Sequence, residues 1–531
     1  MKKILTLFIL LAVAQLTAVG QTLHERAELN MAVQKMGATL MAIKGLYIDT
    51  VNTAKLADEA IKGMLSQLDP HSSYSNAEET KRFTEPLNSN FEGIGVQFNI
   101  LNDTLVVIQP VSKGPSEKAG ILAGDRIILV NDSVFAGVKL TREQMMKRLR
   151  GPKGSVVEVG VKRRGVGETL YFRLVRDKIP LHSLDAAYMI RPEVGLIRLE
   201  NFAVSTKDEL HEAIKKLKKQ GMKSLILDLQ TNGGGYLEAA YAVSSEFLDK
   251  GDLVVYTDGR SVPKQRHVAT GKGSFEKGRL IVLVDEYTAS SAEIVSGAVQ
   301  DNDRGIIIGR RTFGKGLVQR PIELPDGSMV RLTVSHYYTP SGRCIQKPYV
   351  KGQKKDYDSD MLNRYNNGEL MHQDSIHFAD SLKCYTLKKH RVVYGGGGIM
   401  PDIFVPLDTT VYTKHYRALA RKNIIINSYM EWYDKHRSEL AAKFDGFDSF
   451  KQDFEIPREL VDTIMSRGVK ADVHPANNEE QENTAKRLRI QLKALLARDL
   501  WDTNEYYAIM NEEDAAVRRA LELLANEEEK E

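Results

Sequence analysis

Val284-Asp285-Glu286-Tyr287-Thr288-Ala289-Ser290-Ser291-Ala292-Glu293-Ile294 runs from an apolar strand through small residues into a helical pattern. A strand, a tight turn and a helix start in that order expose a hydroxyl beside open backbone N–H groups. Small neighbours let a carbonyl approach the oxygen, and the N–H groups suit a developing oxyanion. The same stretch also reads as a Ser- and Thr-rich helix cap. Working outward, the apolar runs Val194 to Leu199, Leu225 to Leu229, Leu280 to Val284 and Ile306 to Ile308 alternate with helical stretches such as Lys207 to Lys219. That alternation predicts an α/β core with largely parallel strands.

Thr312-Phe313-Gly314-Lys315-Gly316-Leu317-Val318-Gln319 follows the last of these runs and sets a lysine between two glycines. A lysine acts as general base only when neutral. Its pKa of about 10.4 must then fall to near neutrality, at a cost of about 4 kcal/mol met by burial. Gln319, four residues on, falls on the same side and is expected to hold it; the alternative for Lys315 is a solvated turn. Gly309 to Lys315 also nearly spells a phosphate-binding P-loop, but Gly316 stands where that motif needs Ser or Thr for magnesium. Asp228-Leu229-Gln230-Thr231-Asn232-Gly233-Gly234-Gly235 ends another apolar run, and bare glycine backbone there could supply an oxyanion donor beside the Ser291 N–H or simply turn the chain.

Upstream, from about Phe91 to Val175, short β-type runs (Gly95 to Ile100, Leu105 to Gln109, Arg126 to Val130, Val156 to Lys162) are broken by Gly, Pro, Asn and Asp. Within this β-rich module, Gly93-Ile94-Gly95-Val96 can point several N–H groups at one carboxylate, and the adjoining strand edge can add a peptide as an extra strand. Residues 24–67 read as helical, with Met31, Val33, Leu40, Ile43 and Leu46 on one face, and end at Leu68-Asp69-Pro70-His71-Ser72-Ser73-Tyr74. Beyond Thr410 the chain is helical and charged, with Leu488, Leu492, Leu495 and Leu496 on one buried face. The polar stretch 350–397 reads as a surface insertion.

The 531 residues suggest several folded units. An apolar fraction of 42%, a charged fraction of 27% and a net charge of +4 are ordinary for a globular protein and give no electrostatic case for nucleic acid. Lys2 and Lys3 before the apolar run Ile4 to Ala14, with small residues at Ala18 and Gly20, form a secretory signal layout, so the mature protein is expected outside the cytoplasm. Whether the two cysteines, Cys344 and Cys384, pair is open.

Taken together and in this order, the Leu68–Tyr74 motif, Gly93–Val96, Ala119-Gly120 with Gly124-Asp125-Arg126, Asp228–Gly235, Ala289–Ile294, Thr312–Gln319 and Tyr338-Thr339-Pro340 resemble the carboxyl-terminal processing proteases, serine peptidases of the tail-specific type. The resemblance spans about residues 40 to 405. It implies a ClpP/crotonase-like α/β protease core over 179–406, a PDZ domain inserted at 86–178, and helical regions at 21–85 and 407–531 after a signal at 1–20. It implies Ser290 as nucleophile, Lys315 as base and Gln319 as its support, with Ser291 and Gly234 as oxyanion donors and Gly93 to Val96 as the carboxylate site, and no metal or organic cofactor. Protein substrates with free C-terminal tails are the expected partners, along with an adaptor lipoprotein or a second copy of the chain, and the periplasm is the expected compartment. Two departures stand out: Ser290 and Ser291 are adjacent where the family alternates serine and alanine, and Gly233 replaces a proline. A tail-binding scaffold without catalysis is the rival reading.

Overall fold

Strands Val194–Leu199, Ser224–Asp228, Arg279–Val284, Ile306–Gly309 and Ile403–Phe404 run parallel and adjacent in one sheet, and Leu184–Arg191 joins antiparallel at its edge. This is a computed structural model and describes residues 25–528; the expected signal segment lies outside them. Continuous Leu, Ile and Val runs explain the arrangement, because a strand covered on both faces has no polar side to alternate. One face packs on helices Thr206–Lys219, Leu237–Ser244 and Ser291–Asp301 through Leu225, Leu227, Val282 and Val295. The first of these carries Asp208 and Glu209 in its opening turn and Lys216, Lys218 and Lys219 in its last, matching the helix dipole.

The last helix, Ala515–Glu528, covers the opposite face: Ala516, Val517, Ala520 and Leu524 pack on Leu196, Ile226, Ile281, Leu283 and Ile308. The C-terminal region therefore divides. Its earlier helices, among them Ile424–Lys443, Arg458–Lys470 and Asn478–Leu500, close a core of their own in which Leu488, Leu492, Leu495 and Leu496 are buried, as their spacing requires.

The β-rich module is a five-strand path, Val96–Leu101, Thr104–Pro110, Arg126–Val130, Val156–Lys162 and Leu170–Val175, with Ser133–Val134 beside the third. Strands Asn90–Gly93 and Asp177–Pro180 pair antiparallel where the chain enters and leaves it, forming a two-stranded neck. The module leans on the C-terminal helices: Leu101 and Val106 share the core of Tyr429 and Met430, and Arg126 pairs with Asp434 at 2.8 Å.

Two features differ from expectation, and one left open is decided. The stretch 350–397 is not simply a surface insertion. Tyr357 is buried and Arg364 is 2% exposed, its guanidinium donating to Glu369 and to the carbonyls of Arg311 and Thr312; polar composition concealed burial because these charges are paired inside. The helix over 25–46 forms, but its apolar residues find no cover in a single chain, and Leu46 is 85% exposed. Cys344 and Cys384 are both free thiols. No described helix is long and apolar enough to cross a membrane.

Leu524→Ala is expected to lower unfolding stability by about 2–5 kcal/mol, because it opens a cavity against the parallel sheet rather than fraying a terminus. Urea denaturation checks this, and an unchanged midpoint would show that the last helix does not stay on the sheet.

Candidate active site

Three neighbouring parallel strands deliver three loops to one rim, at their carboxyl ends, where open α/β sheets place ligands. Ser224–Asp228 leads into the glycine loop, Arg279–Val284 into the serine turn and Ile306–Gly309 into the lysine turn. The loops are cross-tied. The Ala289 N–H donates to the Asn232 carbonyl at 2.9 Å, the Thr231 N–H to Asp285 Oδ1 at 2.9 Å, and the Thr288 hydroxyl to the Leu229 carbonyl at 2.8 Å. The Arg198 guanidinium pairs with Asp228 and donates to the Gln230 carbonyl and the Thr231 hydroxyl, pinning the start of the glycine loop.

Ser290 has φ +58° and ψ −117°, a conformation that costs a β-carbon-bearing residue energy and persists only where the surroundings impose it. Ser291, by contrast, is the first helical residue, is buried, and its hydroxyl donates to the Gly235 carbonyl at 3.0 Å. The strained, partly exposed position is thus Ser290. The Ser291 N–H lies at a helix start, where no intrahelical acceptor exists. A β-carbon on Gly234 (φ +97°) would stand 2.8 Å from the Ser290 β-carbon and 3.0 Å from the Ser291 nitrogen, so only glycine permits this approach. The Gly234 N–H itself donates to Asn232 Oδ1 at 2.9 Å.

Glu293 joins the serine turn to the lysine turn. Its Oε2 accepts from the N–H groups of Ser290 (2.8 Å) and Lys315 (2.9 Å), so these nitrogens stand no further apart than two hydrogen bonds. Its Oε1 accepts from the Thr312 hydroxyl (2.5 Å) and the Gly314 N–H (2.7 Å). Burial pushes this carboxyl up to about 7, against the four hydrogen bonds that hold it down. Thr312 Oγ1 already accepts the Ile399 N–H, so its proton points at Glu293, and all four partners are donors that an ionised carboxylate satisfies.

Lys315 is pushed down from 10.5 by burial first and then by the Arg331 charge, while Glu293 and Asp69 pull the other way. The segment Asp69–Ser72 closes behind it. His71 Nε2 meets the Tyr357 hydroxyl at 2.8 Å, and burial, with the Lys315 charge nearby, lowers its pKa to about 3, leaving a neutral imidazole. Gln319 does not hold Lys315 by its amide N–H, which goes to Thr333 Oγ1 at 3.2 Å; Thr333 in turn donates to Asp69 Oδ1 at 2.8 Å. Leu317–Glu323 is extended, with a register shift before Gln319, and Gln319 meets Thr333 on the paired strand. Glu293, Asp69, His71 and Thr333 had no role in the sequence reading, although Glu293 and the Asp69-His71 motif were both quoted there. The P-loop reading falls away because a strand, not a helix N-terminus, follows Lys315.

At the β-rich module, Gly95 has φ +71°, and the N–H groups of Ile94 and Gly95 have no acceptor among the described residues. Buried Ser116 clamps the Ile94 carbonyl through its hydroxyl at 2.7 Å, at the start of the edge strand Val96–Leu101.

Comparison with known proteins matches family models to four stretches of the chain. A model of peptidase family S41 matches residues 193–358 and a PDZ domain model residues 93–174. An activating protease CtpB N-terminal domain model matches residues 11–80, and a family of unknown function residues 415–502. The carboxy-terminal-processing protease of Bartonella bacilliformis is 34% identical over 339 residues, 63% of this chain and 77% of its own. Carboxy-terminal processing protease CtpA of Bacillus subtilis is 35% identical over 373 residues, 67% of this chain and 79% of its own. Among solved structures, a photosystem II D1 C-terminal processing protease is 30% identical, covers 59% of this chain and 84% of its own, and superposes with a TM-score of 0.32.

Glu293→Gln is expected to destabilise the chain by roughly 1–3 kcal/mol for each donor left facing the amide NH2; urea unfolding beside the parent chain measures it. Because the folded pKa of Lys315 lies below 10.5, the folded state binds fewer protons there than the unfolded state, and stability rises with pH between the lowered value and 10.5. Lys315→Met should flatten that rise and give a higher thermal midpoint than the parent at neutral pH; a lower midpoint would mean the ammonium is not buried at a cost.

Proposed function

This chain belongs to the carboxy-terminal processing proteases of peptidase family S41, and we propose that it cuts protein substrates near their C-terminal tails by a serine–lysine mechanism. The observation that carries the proposal is the shared Glu293 oxygen, which holds the backbones of Ser290 and Lys315 side by side. Neutral Lys315 takes the proton of the Ser290 hydroxyl as its oxygen attacks the scissile carbonyl. The tetrahedral oxyanion is received by the Ser291 N–H and by the Gly234 N–H once the latter leaves Asn232 Oδ1. The C–N bond then breaks, the amine leaves with the proton from Lys315, and an acyl-enzyme on Ser290 remains. Lys315 next deprotonates a water, which releases the acid product and restores the serine. Gln319 supports this base indirectly, by linking Thr333 and Asp69 behind it.

The PDZ module is proposed to hold the substrate's terminal carboxylate on the N–H groups of Gly93 to Val96, with the tail added as a strand along Val96–Leu101. The apolar segment Ile4 to Ala14 is proposed to direct export to the periplasm.

Cleavage of an unfolded protein with an apolar C-terminal tail should fall at least ~10³-fold in Ser290→Ala and in Lys315→Ala. If no form cuts yet all bind the tail, the chain is a peptide-binding scaffold instead. In the active chain the rate should climb with pH as Lys315 loses its proton, with the midpoint below 10.5 because burial has lowered it; a rate independent of pH would remove Lys315 as the base.

A further inference from the structure

The tail groove is not built from the PDZ module alone. It is a cleft of about 360 Å³ whose lining includes Gly95, Phe98 and Asn99 of the module together with Arg498, which comes from helix Asn478–Leu500 nearly four hundred residues on. That lining contains three arginines, Arg142, Arg150 and Arg498, and no carboxylate. Arg150 is already paired with Glu85 at 2.5 Å and stacked on Phe91. Arg498 is anchored by one edge only: its Nε donates to Asp499 Oδ1 at 2.8 Å, and Asp499, fully buried, is itself held by the Tyr429 hydroxyl at 2.6 Å. The Nη1 and Nη2 groups donate to nothing among the described residues, and the side chain keeps a third of its surface. A guanidinium fixed at Nε with a free Nη fork matches a carboxylate.

The sheet's alternation says which part of a tail would meet it. Val96, Phe98 and Ile100 face the module's own core, whereas Leu101 packs among the C-terminal helices and Asn99 Nδ2 lies 3.3 Å from Met430 Sδ. A peptide paired to this edge alternates likewise. With its carboxylate at Ile94 and Gly95, the terminal side chain enters the apolar side, by Ile94, Met146 and Leu149, and the penultimate one turns toward Gln97, Asn99 and Arg498.

We propose that Arg498 is a specificity-determining residue of the tail groove, contributed by the C-terminal helical region, and that it selects tails with an acidic penultimate side chain. This rests on the tail-binding reading above. Full-length Ser290→Ala protein, which would bind without turnover, is titrated with ten-residue peptides ending in an apolar residue and identical except for Glu, Gln or Lys at the penultimate position. The expected result is Glu over Gln by roughly fivefold to tenfold, with Lys weakest. Arg498→Ala should bind the Glu and Gln peptides alike, and Arg498→Glu should reverse the order in favour of Lys. Equal affinities for Glu, Gln and Lys in the parent, or a Glu preference that persists in a folded Arg498→Ala chain, overturns the assignment while leaving tail binding intact. Binding of none of the three overturns the tail-binding reading itself, and the assignment with it.

Discussion

A buried carboxylate facing four donors is the constraint on which this site depends. Glu293 lies one turn into the helix that begins after Ser290, inside a core of Ile, Val and Ala side chains, where an unpaired charge would be very costly. It is tolerated because Ser290, Thr312, Gly314 and Lys315 all turn hydrogens toward it. Each of those donors is in turn fixed by its own element: the serine by the end of one parallel strand, the lysine turn by the end of the next. The strained backbone of Ser290 is part of the same arrangement, since in that conformation its N–H reaches Glu293 while its carbonyl accepts the Tyr337 hydroxyl at 3.1 Å.

The lysine turn shows how polar sequence becomes interior. Arg364 and Glu369, from a stretch with no apolar periodicity, close over the carbonyls of Arg311 and Thr312. Lys347 lies over the rings of Phe313 and Tyr357 and pairs with Asp360 at 2.9 Å. The neutral form of Lys315 itself is favoured by burial and then by the Arg331 charge. A charged surface loop and a buried charged brace have the same composition and differ only in whether each charge finds its partner.

The modules are also less separate than their order suggests. The PDZ sheet shares an apolar core with the C-terminal helices through Leu101 and Val106, those helices lend Arg498 to the groove, and the final helix returns to cover the parallel sheet. The PDZ sheet and the parallel sheet that bears Ser290 are thus each braced by a part of the same C-terminal region.

The strands of the core and of the PDZ module were legible because a buried parallel strand needs an unbroken run such as Arg279–Val284 and a half-buried one needs alternation such as Val96–Leu101; both are local properties of the chain. The turns that carry Ser290, Lys315 and the glycine loop were legible for the same reason, since small residues mark where a strand ends in a tight turn. What the sequence could not carry was partnership across distance. Gln319 bonding Thr333 rather than Lys315, Asp69 and His71 closing behind the lysine, Arg364 turning inward, and Arg498 entering a groove almost four hundred residues upstream all depend on which elements pack together. Residue type and spacing determined the elements and the reactive groups; tertiary packing alone decided which buried charge faces which donor, because that energy is set by contacts a few ångströms long between segments hundreds of residues apart.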